Sequence, residues 1–385
     1  MKFFLYILLG IVILLLMVVI HEFGHYIAGK ILKFKIDEFS VGFGPKLFQK
    51  KNKKSGEKFT LRLVPLGGYC AFAGEDNADG TTIGKKKEEN SDSVVELAEP
   101  ENSVATDGAS VKRDYLLFDE QKPWKRIIVF IAGPLFNFIS AIIFSFIFIL
   151  VVGYAKPTVT AVFETEEPGI YYNTLEKGDE IIAVDGREIG ILHSYSELLE
   201  NYKLGDVVKL TVLRDGQLIE QDVAVQKITY TDENGKKEEY DGFGFQSKSE
   251  YVKAGFGESL LYSVPMTLKF SWMVLGAFGK LFTGQVKITS LTGPIGTVSS
   301  FAEVASQNWL NILIFLPLIA SNLAIFNILP IPALDGSKVV FTLIEWIRKK
   351  PVNKKVENII HFAGLVALFG LVIVVDIIGM FMRGI

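Results

Sequence analysis

One cysteine in 385 residues, Cys70, excludes any intramolecular disulfide and any zinc site built on clustered cysteines. Histidine is almost as scarce, with four in the chain. Charge is absent from Phe3 to Ile20, and the apolar run continues through Tyr26 to Leu32. That length covers the roughly 30 Å hydrocarbon core of a bilayer at about 1.5 Å per residue. A secretory leader would instead show an apolar stretch of roughly 7 to 15 residues and a small-residue cleavage site, whereas polar residues of another kind follow here. Aromatic residues are missing from Glu75 to Asp107, which carries ten acids and three bases. Such a stretch cannot bury enough apolar surface to offset its ordering entropy and reads as a disordered cytoplasmic linker.

What the chain has in quantity is apolar surface, 49% of residues, with a mean hydropathy of +0.33. Further runs at Ile127 to Gly153, Trp309 to Leu329 and Ile359 to Phe381 bring the expected spans to four. The net charge of −3 conceals segregation: residues 30–62 hold ten Lys/Arg and three acids, residues 156–256 twenty acids and eleven Lys/Arg. Basic residues next to spans stay inside, so Lys122, Lys125 and Arg126 start the second span there, and Arg348 to Lys355 the fourth. Both termini are then expected outside.

The pattern divides into a first span (residues 1–34), a membrane-associated β region (35–74), the acidic linker (75–121) and a second span (122–154). An extracytoplasmic domain (155–250), an amphipathic interfacial segment (251–308), a third span (309–336), a basic cytoplasmic loop (337–358) and a fourth span (359–385) follow. In the β region, glycines punctuate Val41-Gly42-Phe43-Gly44-Pro45 and Leu66-Gly67-Gly68-Tyr69, marking short strands and tight turns. In the extracytoplasmic domain, Asp185-Gly186, Asp215-Gly216 and Asn234-Gly235 are turn signals between alternating runs, with a helical pattern near Ser194 to Tyr202. The order suggests a PDZ domain. Overall the fold class is membrane α-helical with four transmembrane helices, a membrane-associated β-hairpin or sheet, and an inserted extracytoplasmic PDZ-like α+β domain. Segment Leu260 to Phe282 is apolar but holds Pro265, Lys269 and Lys280, so it is either a fifth span or an interfacial helix.

At the inner end of the first apolar run stands His21-Glu22-Phe23-Gly24-His25. Histidines four apart share one helix face and can bind one zinc, with Glu22 beside the metal to take a proton from its water. Zinc brings that water's pKa to about 7. A polar patch at a helix end is the plain alternative, but ionisable groups inside a bilayer-length run are costly and are functional by default. A catalytic zinc needs a third protein ligand at comparable depth. Asp335, in Asn327-Ile328-Leu329-Pro330-Ile331-Pro332-Ala333-Leu334-Asp335-Gly336, follows two helix-breaking prolines. His361 and Asp376 in the fourth span compete; His361 is better placed for a packed or hydrogen-bonded role, and Asp376 lies at the outer end. For Asp335 to share depth with His21, Leu260 to Phe282 must lie in the outer interface, not cross.

HEFGH, Ala132-Gly133-Pro134-Leu135-Phe136-Asn137 and the Asn327 to Gly336 stretch together resemble the three signatures of the site-2 protease family, and the inserted domain resembles its bacterial RseP/RasP-type subgroup. The resemblance covers nearly the whole chain. It implies Zn2+ held by His21, His25 and Asp335, Glu22 as general base, and Asn327 positioning substrate or its oxyanion. It also implies a multi-pass enzyme of the bacterial plasma membrane that cuts single-span membrane proteins within the lipid bilayer, among them anti-sigma factors and signal-peptide remnants. A site-1 protease acting first is an expected partner; nucleic acid is not. An unwound substrate could add to an edge of the Ile36 to Phe72 strands, with Gly42 and Gly44 allowing close approach. The acidic linker is longer than the family pattern, and no clear glycine-hydrophobic-glycine loop marks the PDZ-like domain. Two other readings are a membrane-anchored zinc peptidase acting on soluble proteins and a PDZ-bearing scaffold. The first would need a glutamate ligand on a following helix, and Glu345 is the only acid between Asp335 and the basic cluster; the intact Glu22 opposes the second.

Overall fold

A run without charge can satisfy its backbone only within itself once lipid replaces water, and Lys2–Ile31 accordingly forms one helix, α1. The computed structural model describes residues 2–75, 115–162, 175–191, 193, 195–231, 237–285, 296–297, 301, 304 and 309–383. The acidic linker from residue 76 to 114 and the Asn234-Gly235 turn lie outside the described residues. Two units organise the chain: Met1–Phe138 with Lys287–Ser299 and Leu323–Ile385, and Ile139–Val286 with Ser300–Asn322.

In the first unit, α1 ends where Lys33 turns left-handed (φ 63°) and the chain enters β1 (Ile36–Lys51) and β2 (Lys58–Phe72). These long antiparallel strands each double back. Val41 pairs with both Gly68 and Leu61, and Phe48 pairs with Leu61 as well, so the sheet runs 46–51, 58–62, 36–41, 68–72. The bends fall at glycines with positive φ: Gly42 (85°), Gly44 (80°) and Gly67 (122°). Arg62 staples the sheet, donating to Ser40 Oγ (3.0 Å), Gly44 O (2.9 Å), Glu38 Oε1 (3.1 Å) and Tyr69 Oη (2.6 Å). Burial pushes the Glu38 carboxyl up, but hydrogen bonds from Thr60, Arg62 and Tyr69 outweigh it and hold the group below its ordinary range.

The hairpin's root is fixed by aromatic packing. Phe118 lies 5.1 Å from Phe34, 5.2 Å from Phe72 and 5.3 Å from Phe130, the last on α2 (Pro123–Val151). Arg126, one turn into α2, is buried and bonds Glu345 (3.0 Å) on α6 (Asp335–Arg348). Before it comes α5 (Phe315–Ile328); after it, α7 (Lys354–Arg383) exposes Ile359, Phe362, Val366, Phe369 and Ile373. An apolar surface that continuous is suited to lipid.

The second unit holds a sheet in the order β10-β3-β4-β6-β7, made of β3 (Tyr154–Val162), β4 (Glu180–Val184), β6 (Val207–Arg214), β7 (Gln217–Ala224) and β10 (Phe245–Val252). The two-residue β5 (Arg187–Glu188) pairs with β4, while β8 (Gln226–Thr231) and β9 (Lys237–Gly242) form a separate ribbon. Inward residues Val159, Ile181, Val208, Leu210, Val212 and Val223 make its core, closed by Tyr195 and Leu198 of the short α3 (Tyr195–Leu199). The expected turns are present: Asp185-Gly186 (φ 47° and 73°) and Asp215-Gly216 (48° and 80°) show the double positive φ of primed hairpin turns.

Among the described residues, four helices are long and apolar enough to cross a membrane: Leu8–Ile31, Pro123–Val151, Phe256–Lys280 and Lys354–Gly379. The number matches the sequence expectation but the membership differs. The expected third span, 309–336, is broken into a 3-10 turn (Trp309–Ile314) and the 14-residue α5, because Pro317 has no N–H to continue an α-helix from upstream. Conversely, the expected interfacial segment contains α4 (Phe256–Phe282), unbroken through Pro265. Its hydroxyls bond their own helix, Ser263 Oγ to Leu260 O, Thr267 Oγ1 to Ser263 O and Ser271 Oγ to Thr267 O, which lowers their cost in apolar surroundings. Contacts of α4 with α2 stay near α2's end: Phe256 meets Phe146 and Thr267 meets Ser145 (3.0 Å).

Candidate metal centre

Two close backbone approaches bring the site residues together. A Cβ on Gly24 would stand 2.4 Å from Ala132 O, and one on Gly133 would stand 2.4 Å from His25 Nε2 and 2.8 Å from His21 Cε1. Glycine at both positions lets α1 pack directly on α2 and leaves open the space in front of both imidazoles. His21 and His25, four apart on α1, are buried with ring centroids 4.8 Å apart.

Asp335 arrives from the other end of the chain. After α5, Ile331 N–H donates to Leu329 O (2.7 Å) and Leu334 N–H to Ile331 O (3.1 Å), forming a tight turn through both prolines. Ala333, not a glycine, takes the positive φ (78°). Gly336 is needed for space: a Cβ there would stand 2.2 Å from Leu329 O. Asp335 thus becomes the first residue of α6, where the helix dipole favours a carboxylate.

The three donor atoms converge. His21 Nε2 lies 2.9 Å from Asp335 Oδ2, His25 Nε2 lies 3.2 Å from the same oxygen, and the two Nε2 atoms are 3.2 Å apart. Ligands on a tetrahedral zinc, bonded at about 2.0 to 2.1 Å, stand roughly 3.3 Å from one another. The donor set therefore fits zinc in both type and spacing. Among the described residues this is the one His/Cys/Asp/Glu group of metal-binding spacing. The remote ring nitrogens are held as metal-binding histidines require: His25 Nδ1–H donates to Val129 O (2.8 Å), and His21 Nδ1 is 3.2 Å from the Asn137 amide. With Nε2 facing the metal position, His21 Nδ1 carries the proton, and the amide presents its oxygen after a half-turn about χ2.

Glu22 lies beside the triad, with no hydrogen bond or ion pair to any described residue. Its Cγ would be 3.4 Å from a Cβ on Gly68, so segment 68–72, the outer edge of the hairpin sheet, passes directly over the glutamate. Asn327 is half-buried in the last turn of α5 and hydrogen-bonds to none of the triad among the described residues. Gly42 and Gly44 sit at the bends of β1; a Cβ on Gly42 would stand 2.7 Å from Val64 O, so its close approach is to its own partner strand. His361 is outside the triad, its Nδ1 accepting the Ala333 N–H (3.1 Å), and Asp376 is likewise outside it, on α7. Burial pushes the Cys70 thiol up, away from the range of a thiolate ligand. Asn137, Val129 and Gly133 are the residues the sequence reading did not assign to the site; the AGPLFN run was the only signal for Gly133 and Asn137, and Val129, which contributes its backbone carbonyl, had none.

The model of peptidase family M50 matches residues 9–371. The chain belongs to this family. Curated relatives agree over nearly full length: Regulator of sigma-W protease RasP of Bacillus subtilis is 28% identical over 407 residues (93% of this chain, 94% of the relative). Zinc metalloprotease RasP of Bacillus licheniformis is 28% identical over 414 residues (93% and 94%), and that of Geobacillus kaustophilus 27% over 409 (93% and 94%). This M50 peptidase is a zinc metalloprotease of the site-2 type, and the expected resemblance is borne out.

Gly133→Ala tests the donor geometry directly. The methyl group invades the space between the imidazoles, and zinc affinity, read by competition with a chromogenic chelator, should fall at least about 10- to 100-fold while circular dichroism stays unchanged.

Proposed function

We propose that this M50 peptidase is an intramembrane endopeptidase that cuts transmembrane segments of single-span membrane proteins in regulated intramembrane proteolysis. One observation carries the reading: His21, His25 and Asp335 meet between a helix that is free of charge from Phe3 to Ile20 and the turn that ends the apolar α5, a setting that favours a substrate arriving through lipid. His21, His25 and Asp335 would hold zinc, which when bound supplies a polarised water near neutral pH. Glu22 takes the proton from that water and returns it to the leaving amine. Asn327 holds the scissile segment or its developing oxyanion from the end of α5.

A transmembrane helix hides its amides, so it must unwind before cleavage. The edge 68–72 beside Glu22 suits capture of the unwound backbone by strand addition, with Gly42 and Gly44 shaping the bends that carry this edge. The sheet domain of residues 154–252 is read as PDZ-like and acts as a gate against substrates with bulky outer domains, which makes a prior site-1 cut a requirement. Anti-sigma factors and signal-peptide remnants are the substrates of this class. The enzyme lies in the bacterial plasma membrane with both termini outside. Its α4 rests in the outer interface, so that Asp335 and His21 share the inner half of the bilayer.

Purified protein in detergent with a model transmembrane substrate should lose cleavage about 10²- to 10⁴-fold in Glu22→Gln and keep its zinc. A chelator should abolish cleavage in the wild type, and prolines at Tyr69 and Ala71 should reduce it without releasing zinc; activity surviving all three would dismiss the reading. Deleting residues 156–250 joins Ala155 to Tyr251, which already pair; the shortened enzyme should then cut substrate that has had no prior cleavage, and unchanged selectivity would argue against a gate. In a Cys70→Ser background, single cysteines at Lys253 and Gln285 should react with an impermeant thiol reagent from the same, outer side. Labelling from opposite sides would make α4 a span.

A further inference from the structure

We propose that His361 is a positioning residue for the metal centre, accepting the Ala333 backbone N–H at Nδ1 and thereby fixing the turn that delivers Asp335. Ala333 has φ 78°, a left-handed backbone that a Cβ disfavours and that persists only where its surroundings hold it. The hold comes from α7. His361, 9% exposed, receives the Ala333 N–H at 3.1 Å, and one turn further on Gly364 lies against the preceding residue, where a Cβ would meet Pro332 Cβ at 2.3 Å and Pro332 O at 2.8 Å. Two successive residues of the turn are thus seated on two residues of one helix face.

The turn is also tied from the ligand's side. Ser337 Oγ donates to Leu334 O (2.7 Å) and stands 3.5 Å from His361 Nδ1, so the two residues flanking Asp335 at Leu334 and Ser337 belong to the same cluster. An acceptor Nδ1 leaves the ring proton on Nε2, 4.0 Å from Glu357 Oε1, and the ring packs on Phe341 at 5.4 Å. The imidazole is therefore committed to the backbone and to its neighbours, not to the metal. Its effect on zinc passes through the Ala333 to Asp335 segment, whose three-residue length leaves little slack for a misplaced turn to deliver its carboxylate to His21 and His25.

The inference rests on the metal centre alone and not on what the enzyme cleaves, so its test reads zinc binding. Full-length protein is stripped in detergent and titrated with Zn2+ against a competing chelator, alongside the unfolding temperature of the apo form. His361→Phe keeps a ring against Phe341 but has no acceptor; affinity should fall about 10- to 100-fold. His361→Asn loses the ring but places an amide oxygen near Nδ1; affinity should return to within about threefold of wild type. Gly364→Ala drives a methyl into Pro332 with His361 intact and should weaken zinc as well. Wild-type affinity in His361→Phe, or His361→Asn falling as far as His361→Phe, overturns the proposal. If His361→Phe cannot be recovered folded, Gly364→Ala decides, and unchanged affinity there overturns it.

Discussion

The separation of α1 and α2 at Gly24 and Gly133 is the constraint on which the metal centre depends. With any side chain at either position the helices would part, and the imidazoles would meet a methyl group where they now face open space. That approach also sets the reach to Val129 and Asn137, the groups that orient the two rings. A metal centre is usually described by its histidines and carboxylate, but in this candidate centre the first requirement is the absence of two side chains. The same holds at Gly336, where α6 could not start against the end of α5 with a Cβ in between.

Much of this was readable without coordinates, for identifiable reasons. His21, Glu22 and His25 sit on one helix, so their geometry is local and follows from 3.6 residues per turn. Asp335 could be chosen because two prolines and a depth requirement narrowed the candidates. The domain's hairpins were legible because Asp-Gly pairs demand a specific turn. What stayed hidden is non-local. Neither the break at Pro317 nor the continuity of α4 through Pro265 follows from hydropathy, because one proline begins a helix and the other is absorbed inside one. Gly336 serves close approach, while Ala333 and not a glycine takes the strained angle. Nor does sequence reveal that His361 faces Ala333, since that contact joins elements 28 residues apart.

Charge patterning says nothing of where an individual cation's side chain goes. Arg126 was counted among the cations that keep the start of the second span inside, yet it is buried beneath Phe118 and bonds Glu345 and Asp119. Lys338, one turn after Asp335, bonds Glu75 at 3.1 Å and lies over the Phe130 ring at 5.3 Å. Burial works against its charge, but Glu75, with Asp335 and Glu22, more than compensates and holds its ammonium above the ordinary lysine range. These residues knit the hairpin's end, α2 and α6 into one body. A residue can satisfy a topological rule and a packing need together, and only the second fixes where its side chain goes.

The hairpin edge at 68–72 has a consequence for how substrates would be told apart. A peptide seated on a strand edge is held by its main chain and turns alternate side chains to opposite sides. Discrimination would then fall on every second residue near the cut and on how readily the segment gives up its helix, not on a contiguous consensus. Helix-breaking residues, which nearly any protein can carry, would become the admission criterion, and one enzyme could then serve clients that share no sequence.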